Sequence, residues 1–245
     1  MTLLAIDTSS AFASVALFDG RTVLAEETWH AHRRHDDHLF PSIERLLSLA
    51  AIAIADVTRV AVAIGPGSFT GVRVGIAAAQ GIALASGAAL VGIPSLDVIA
   101  WPFASGHRRV CALVPAGRGE HYAAMYRERR GAFARTSEIL IGTVEDLAKT
   151  VAMDTLFAGE IDGGTARELR ERLGARAVMP SASAAVRRAG HLAELGWARA
   201  EAHDTVPAEA LEPMYIRPPF IRGRSGELVS QDDLAPVAHA ARRTS

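Results

Sequence analysis

Residues 74–93 carry only two polar side chains, Gln80 and Ser86, and they follow directly on a loop of glycine, proline and serine. A stretch this apolar must either cross a membrane or be buried in a folded core. Its make-up favours the core, because Gly75, Gly81, Gly87, Gly92 and many alanines supply little lipophilic surface. The pattern predicts a buried helix ending near Gly87 and then a strand over 88–93. Ahead of it, 57–64 reads as a buried strand running into Gly65-Pro-Gly-Ser-Phe-Thr-Gly71.

The same alternation of strand and helix extends in both directions. Two apolar runs at 3–6 and 14–18 are separated by a small polar turn that begins at Asp7, and a third strand over 23–28 follows the Asp19-Gly20 turn. Leu39, Ile43, Leu46 and Ala50, widened by Leu47, recur at helical spacing. Asp36 or Asp37 can cap that helix, which places Pro41 in its first turn, where a missing N–H costs nothing. A short helix is expected around 98–104, and the polar segment 105–109 is the expected lobe boundary. Beyond it come strands over 110–114, 121–127 and 133–139, a helix over 144–151 capped by Thr143 with Asp146, a strand over 155–159, a helix over 165–173, a strand over 176–178 and a helix over 184–202. Strands first and helices after, twice over, predicts two α/β lobes, 1–104 and 105–216, each a mixed sheet with flanking helices. Residues 217–245 are rich in Arg, Gly, Pro, Asp and Ser and are read as a flexible tail.

Several function classes are excluded by composition. Cys111 is the single cysteine, so no internal disulfide or multi-thiolate metal site can form, and its apolar neighbours place it on a buried strand. The first apolar run ends at Asp7, too early for a signal peptide, which predicts a cytoplasmic protein. A net charge of −1 gives no general attraction for nucleic acid. The basic pairs at 33–34, 108–109 and 187–188 read as solvated surface. Lys149, the single lysine, lies far from every glycine-rich loop. His30, His32, His35 and His38 precede or open a helix without a metal-ligand spacing, and capping and solvation account for them better than a metal does.

Two elements could bind phosphate. The Asp7-Thr8-Ser9 turn resembles the first phosphate loop of the actin, hexokinase and heat-shock ATPase superfold, where hydroxyls and backbone donors face phosphate and the Asp manages a hydrated cation. Gly65, Gly67 and Ser68 precede a helix N-terminus, which favours anions. This second loop lacks the lysine ending of a Walker loop, and Ser68 lacks the flanking glycines of a hydrolase elbow. No nucleophile, base and orienting group can be assembled from these motifs.

The whole segment 65–83, together with Leu4-Ala-Ile-Asp-Thr-Ser9, His35, Gly92-Ile-Pro-Ser-Leu96, Gly119-Glu-His-Tyr122 and Glu212-Pro-Met-Tyr-Ile-Arg217, closely resembles the TsaB family. That resemblance implies the actin-like duplicated fold and an inactive paralogue of TsaD, the transferase of tRNA threonylcarbamoyladenosine synthesis. It further implies a non-catalytic subunit with TsaD and the ATPase TsaE as partners and tRNA reached through the complex. No cofactor of its own is implied, although ATP or ADP can sit at the partner interface. Docking carries over to two helices, at His35, Leu39, Ile43, Leu46 and Leu47, and at Thr70, Gly71, Arg73, Val74, Gly75, Ala78, Ala79 and Ile82. Full burial of each large side chain is worth roughly 1.5–3 kcal/mol against an association cost of about 4–15 kcal/mol, so both helices must contribute. Self-association through the same helices is expected when TsaD is absent. One departure stands out: Pro115-Ala-Gly-Arg118 occupies the place where TsaB proteins begin an Asp-Ala-Arg segment. The competing reading is an ATP-dependent small-molecule kinase of the same superfold, which needs phosphate loops from both lobes and a glycine-rich adenosine site, here only Phe157-Ala-Gly-Glu160.

Overall fold

The computed structural model describes residues 1–31, 35–106, 109–129, 132–216, 220–222 and 228–230. Residues 1–214 form one compact unit and 215–245 a second. In the first unit, β1 (Thr2–Asp7), β2 (Phe12–Phe18), β3 (Val23–His30), β4 (Val57–Ala63) and β5 (Ala89–Ile93) form a sheet of order β3-β2-β1-β4-β5. The hairpin pairs are antiparallel, whereas β1–β4 and β4–β5 are parallel. A second sheet is built from β6 (Arg109–Gly117), β7 (Glu120–Arg129), β8 (Ala132–Arg135), β10 (Thr155–Gly159) and β11 (Ala177–Val178), with β9 (Leu140–Gly142) paired to β7. Its order, β8-β7-β6-β10-β11, repeats that of the first sheet strand for strand, with the same two antiparallel and two parallel pairings. This is the duplicated mixed-sheet fold expected for the actin, hexokinase and heat-shock ATPase type.

Both faces of the first sheet are buried. Leu4, Ile6, Val15, Leu17, Val60 and Val62 point towards α1 (His35–Ala50) and α2 (Phe69–Ser86). Ala5, Ala16, Ala61 and Ala63, on the other face, meet α6 (Ala189–Glu201). These small side chains let α6 come close: a Cβ at Gly196 would stand 2.4 Å from the Ala61 Cβ. The second sheet is covered on one face by α4 (Val144–Thr150) and α5 (Gly163–Leu173) through Leu147, Leu169 and Leu173. On its other face lies α3 (Ser95–Ala100), with Leu96 and Ile99 against Val110, Ala112 and Val114.

The lobes therefore exchange helices. The expected division at 104/105 puts α3 with the first lobe and α6 with the second, and each packs on the opposite sheet. The segment after α6 also returns to the first sheet, with Val206 N–H bonded to the Leu90 carbonyl and Met214 N–H to that of Ile64. α1 begins at His35, ahead of the expected aspartate caps, so Pro41 is its seventh residue rather than part of its first turn. In the second unit, β12 (Phe220–Arg222) and β13 (Leu228–Ser230) pair antiparallel within the segment expected to be an unstructured tail.

Among the described residues, α2 alone is long and apolar enough to cross a membrane. It is instead a core helix, carrying Val72, Ile76 and Ala79 against the sheet, and its Gln80 donates to the carbonyls of Ala208 and Leu211 at 2.7 and 3.1 Å. Cys111 is buried on β6 as expected, and burial pushes its thiol pKa up to about 12.

Candidate functional site

The turn after β1 sits at the edge of the cleft between the two sheets, and its side chains are already engaged. Asp7, Thr8 and Ser9 are 2%, 1% and 0% exposed. Ser9 N–H and Ser9 Oγ donate to Asp7 Oδ1 at 2.9 and 2.6 Å, and Thr8 Oγ1 donates to the Gly71 carbonyl at 2.6 Å. Because the Ser9 hydroxyl gives its hydrogen to Asp7, the Ser95 Oγ at 3.0 Å acts as donor to it. The glycine loop packs on this turn backbone to backbone. Ser68 N–H reaches the Ser9 carbonyl at 2.8 Å, and a Cβ at Gly67 or Gly71 would stand 2.1 Å from Ser9 O or 2.0 Å from Thr8 O.

Arg187, in the segment before α6, completes the arrangement. Its side chain is 5% exposed. Nη1 donates to Ser9 Oγ at 3.0 Å, Nη2 donates to Glu160 Oε1 at 2.9 Å, and Nε lies 3.8 Å from Asp7 Oδ2. A guanidinium thus stands beside the buried aspartate and joins the β1 turn to the end of β10, although Asp7 Oδ2 and Arg187 Nε make no hydrogen bond among the described residues. Glu160 is held above the usual carboxylate range by its burial and, secondarily, by Asp7, with Arg187 opposing. The phosphate-binding expectation named Asp7, Thr8, Ser9, Gly65, Gly67 and Ser68, and the structure brings these residues together where the two loops meet. Their small side chains and hydroxyls serve to seat one loop on the other.

The cleft itself has a volume of about 950 Å³, with Ser10, Pro115, His121 and Arg187 among its lining residues. Four carboxylates, Glu120, Glu160, Asp162 and Glu168, line it as well. Burial lowers the pKa of His121, against the pull of Asp162 and Glu168, so its ring is neutral and adds no positive charge. The turn at Pro115 brings no carboxylate to match Asp7. Among the described residues no group of three His, Cys, Asp or Glu is placed to hold a metal ion.

The helical stripes expected to meet a partner are largely internal. Leu39, Ile43 and Leu46 on α1, with Ala78, Ala79 and Ile82 on α2, are core residues against the chain's own sheet. Gly71 and Gly75 face Thr8, with a Cβ at Gly75 falling 2.5 Å from Thr8 Oγ1. Leu47 and Val74 are half-buried, Thr70 and Arg73 are exposed, and the His35 side chain lies outside the described residues. The surface that these helices do present is a different stripe. On α2 it runs through Phe69, Arg73, Ala77, Gly81 and Leu84, spaced three or four residues apart. The Arg73 guanidinium stacks 3.7 Å above the Phe69 ring, and Leu84 is 67% exposed. On α1, Phe40 and Leu49 are 53% and 78% exposed.

A family model described as TsaD, tRNA N6-adenosine threonylcarbamoyltransferase, matches residues 23–169. The tRNA threonylcarbamoyladenosine biosynthesis protein TsaB of Bacillus subtilis is 27% identical over 212 residues, covering 84% of this chain and 93% of its own. The Escherichia coli TsaB is 38% identical over 130 residues, covering 52% of this chain and 55% of its own. Among solved structures, YeaZ from Pseudomonas aeruginosa superposes with a TM-score of 0.74 at 28% identity, over 87% of this chain and all of that one. A second Pseudomonas aeruginosa structure, described as similar to peptidase YEAZ, gives 0.75 at 29% over 88% and 99%. With the family model spanning more than half of the sequence, the chain belongs to the TsaD family and is of its TsaB type.

Proposed function

We propose that this chain is a non-catalytic, cytoplasmic subunit of the machinery that makes threonylcarbamoyladenosine on tRNA, and that it binds and supports a TsaD-type transferase. The observation that supports the non-catalytic part is the β1 turn, where Arg187 stands beside Asp7 and the hydroxyls of Thr8 and Ser9 have partners inside the chain. The relatives' role in tRNA threonylcarbamoyladenosine biosynthesis supports the pathway. A kinase would have to bring phosphates up to four carboxylates and one arginine whose two terminal nitrogens are already bonded, an arrangement that repels them.

Docking falls to the outward stripe of α2 and its neighbour α1. Ala77 and Gly81 let a second helix approach closely, and Phe40, Leu49 and Leu84 supply apolar area at the edges. A TsaE-type ATPase joins the transferase in this reading, with ATP or ADP at the partner interface if anywhere, and the same stripe closes a homodimer when the transferase is missing. Gly81→Glu combined with Leu84→Glu should abolish capture of the TsaD-type protein while leaving the thermal unfolding midpoint within a few degrees of wild type. Undiminished capture by the double variant sinks the assignment of this face. ATP turnover by the isolated chain, lost on Asp7→Ala, would restore the kinase reading.

A further inference from the structure

The starts of β6, β10 and β11 lie at the end of the second sheet away from the cleft, and a depression of about 580 Å³ there is lined by Arg109, Arg127 and Arg176 with Asp154 as its one carboxylate. The register explains the convergence. Val110 pairs with Tyr126 and Cys111 with Met125, which sets Arg109 directly opposite Arg127, and Thr155 of β10 flanks Arg109 on the other side. Opposed residues on one sheet face have Cβ atoms about 4.5–5.5 Å apart, and like charges in that relation repel. Among the described residues neither Arg109 nor Arg127 has a carboxylate within ion-pair distance, although surface arginines elsewhere on the chain do, as with Arg45–Glu27 and Arg172–Glu168. Arg176 is pinned beside them, its Nη1 donating to the Val151 carbonyl at 3.0 Å and its Nε to that of Leu173 at 3.4 Å.

Three arginines against one aspartate make a local positive site on a chain whose net charge is −1. The repulsion between Arg109 and Arg127 is relieved by an anion that bridges them, and guanidinium groups match phosphate oxygens two at a time. The geometry points to this depression as a binding site for the phosphodiester backbone of RNA, which on the functional reading above is the tRNA. Contacts of this kind hold and orient a nucleic acid without reading its bases. The site is on the second sheet, whereas the α1 and α2 stripe lies on the first.

The test titrates a labelled, unmodified tRNA transcript with the full chain, alone and with the TsaD-type transferase, between 50 and 200 mM salt, comparing wild type with Arg109→Glu/Arg127→Glu. Loss of two phosphate contacts should weaken binding at least tenfold and lower the slope of log affinity against log salt by about 1.5, with transferase capture unchanged. Wild-type affinity and slope in the variant overturn the proposal, as does complete displacement of the tRNA by low-millimolar inorganic phosphate, which would assign a small-anion site instead. If the glutamate variant does not fold, Arg109→Gln/Arg127→Gln takes its place with the same criteria. Failure of the wild-type chain to capture the transferase counts against the functional reading, and the depression is then judged by the tRNA titration alone.

Discussion

In the first sheet the turn after β1 is short of side-chain bulk, fully buried and bonded at every hydroxyl, whereas its counterpart after β6 in the second sheet is an open turn at the cleft. Asp7, Thr8 and Ser9 meet Gly71, Ser95 and Arg187, while Gly117 and Gly119 have no atom within 4 Å of where a Cβ would stand. The strand order around the two turns is the same. What differs is the crossover that follows. α2 of the first lobe runs from Phe69 to Ser86 and packs down onto the turn, whereas α5 of the second lobe spans only Gly163 to Leu173 and stands back from it. One copy of the duplicated unit thus uses this turn as a packing joint, and the other leaves it open at the cavity.

The largest effect should come from breaking the joint at its charge. Arg187→Met leaves the buried Asp7 carboxylate without its neighbouring cation, and stranding a buried partner in this way costs about 3–5 kcal/mol. Arg172→Met in the second lobe removes an exposed arginine paired with Glu168 and Glu145, and solvent screening should keep that loss far smaller. Urea unfolding of both variants reads the contrast, and equal losses would mean that the Asp7 turn is no more than an ordinary surface. A second contrast is steric. Gly71→Ala drives a Cβ into the Thr8 carbonyl at 2.0 Å and should destabilise by about 3 kcal/mol. Gly119→Ala meets no neighbour but keeps a φ of +77°, and the loss should be about 1 kcal/mol.

The elements of the fold are legible in the sequence because their signals are clear: continuous apolar runs at 3–6 and 14–18, helical spacing at Leu39, Ile43 and Leu46, and a glycine stop at Gly87. The direction in which α2 faces is not legible. Alanine and glycine occur all round that helix, so Gly71, Gly75 and Ala79 look as fit for an outside partner as Ala77 and Gly81 do. Only the position of Thr8 tells the two stripes apart. The helix exchange is hidden for a related reason, since an apolar stripe on α3 or α6 does not state which of two similar sheets it covers. Arg187 reads as half of a solvated basic pair, and nothing local distinguishes it from Arg188. Its partner Ser9 is 178 residues away in the chain.

The smallest predicted effect compares the two lobes by pH. Each carries a histidine in or beside its core, His121 on β7 of the second sheet and His191 on α6 against the first, and burial holds both below the ordinary histidine pKa. A depressed histidine is neutral in the folded chain while the unfolded chain still takes up a proton near pH 6.5. The unfolded state therefore binds more protons as pH falls from about 6.5 towards the lower folded pKa, and stability declines across that window. His121 should dominate, because it is almost wholly buried and its Nδ1 has no hydrogen-bond partner among the described residues, whereas His191 is only half-buried. Urea midpoints measured from pH 7.5 to 5.0 should fall less steeply for His121→Gln than for wild type, with His191→Gln in between. If the His121→Gln profile runs parallel to wild type, that ring is protonated without penalty in the fold, and the second lobe's cleft is more open to water than its burial implies.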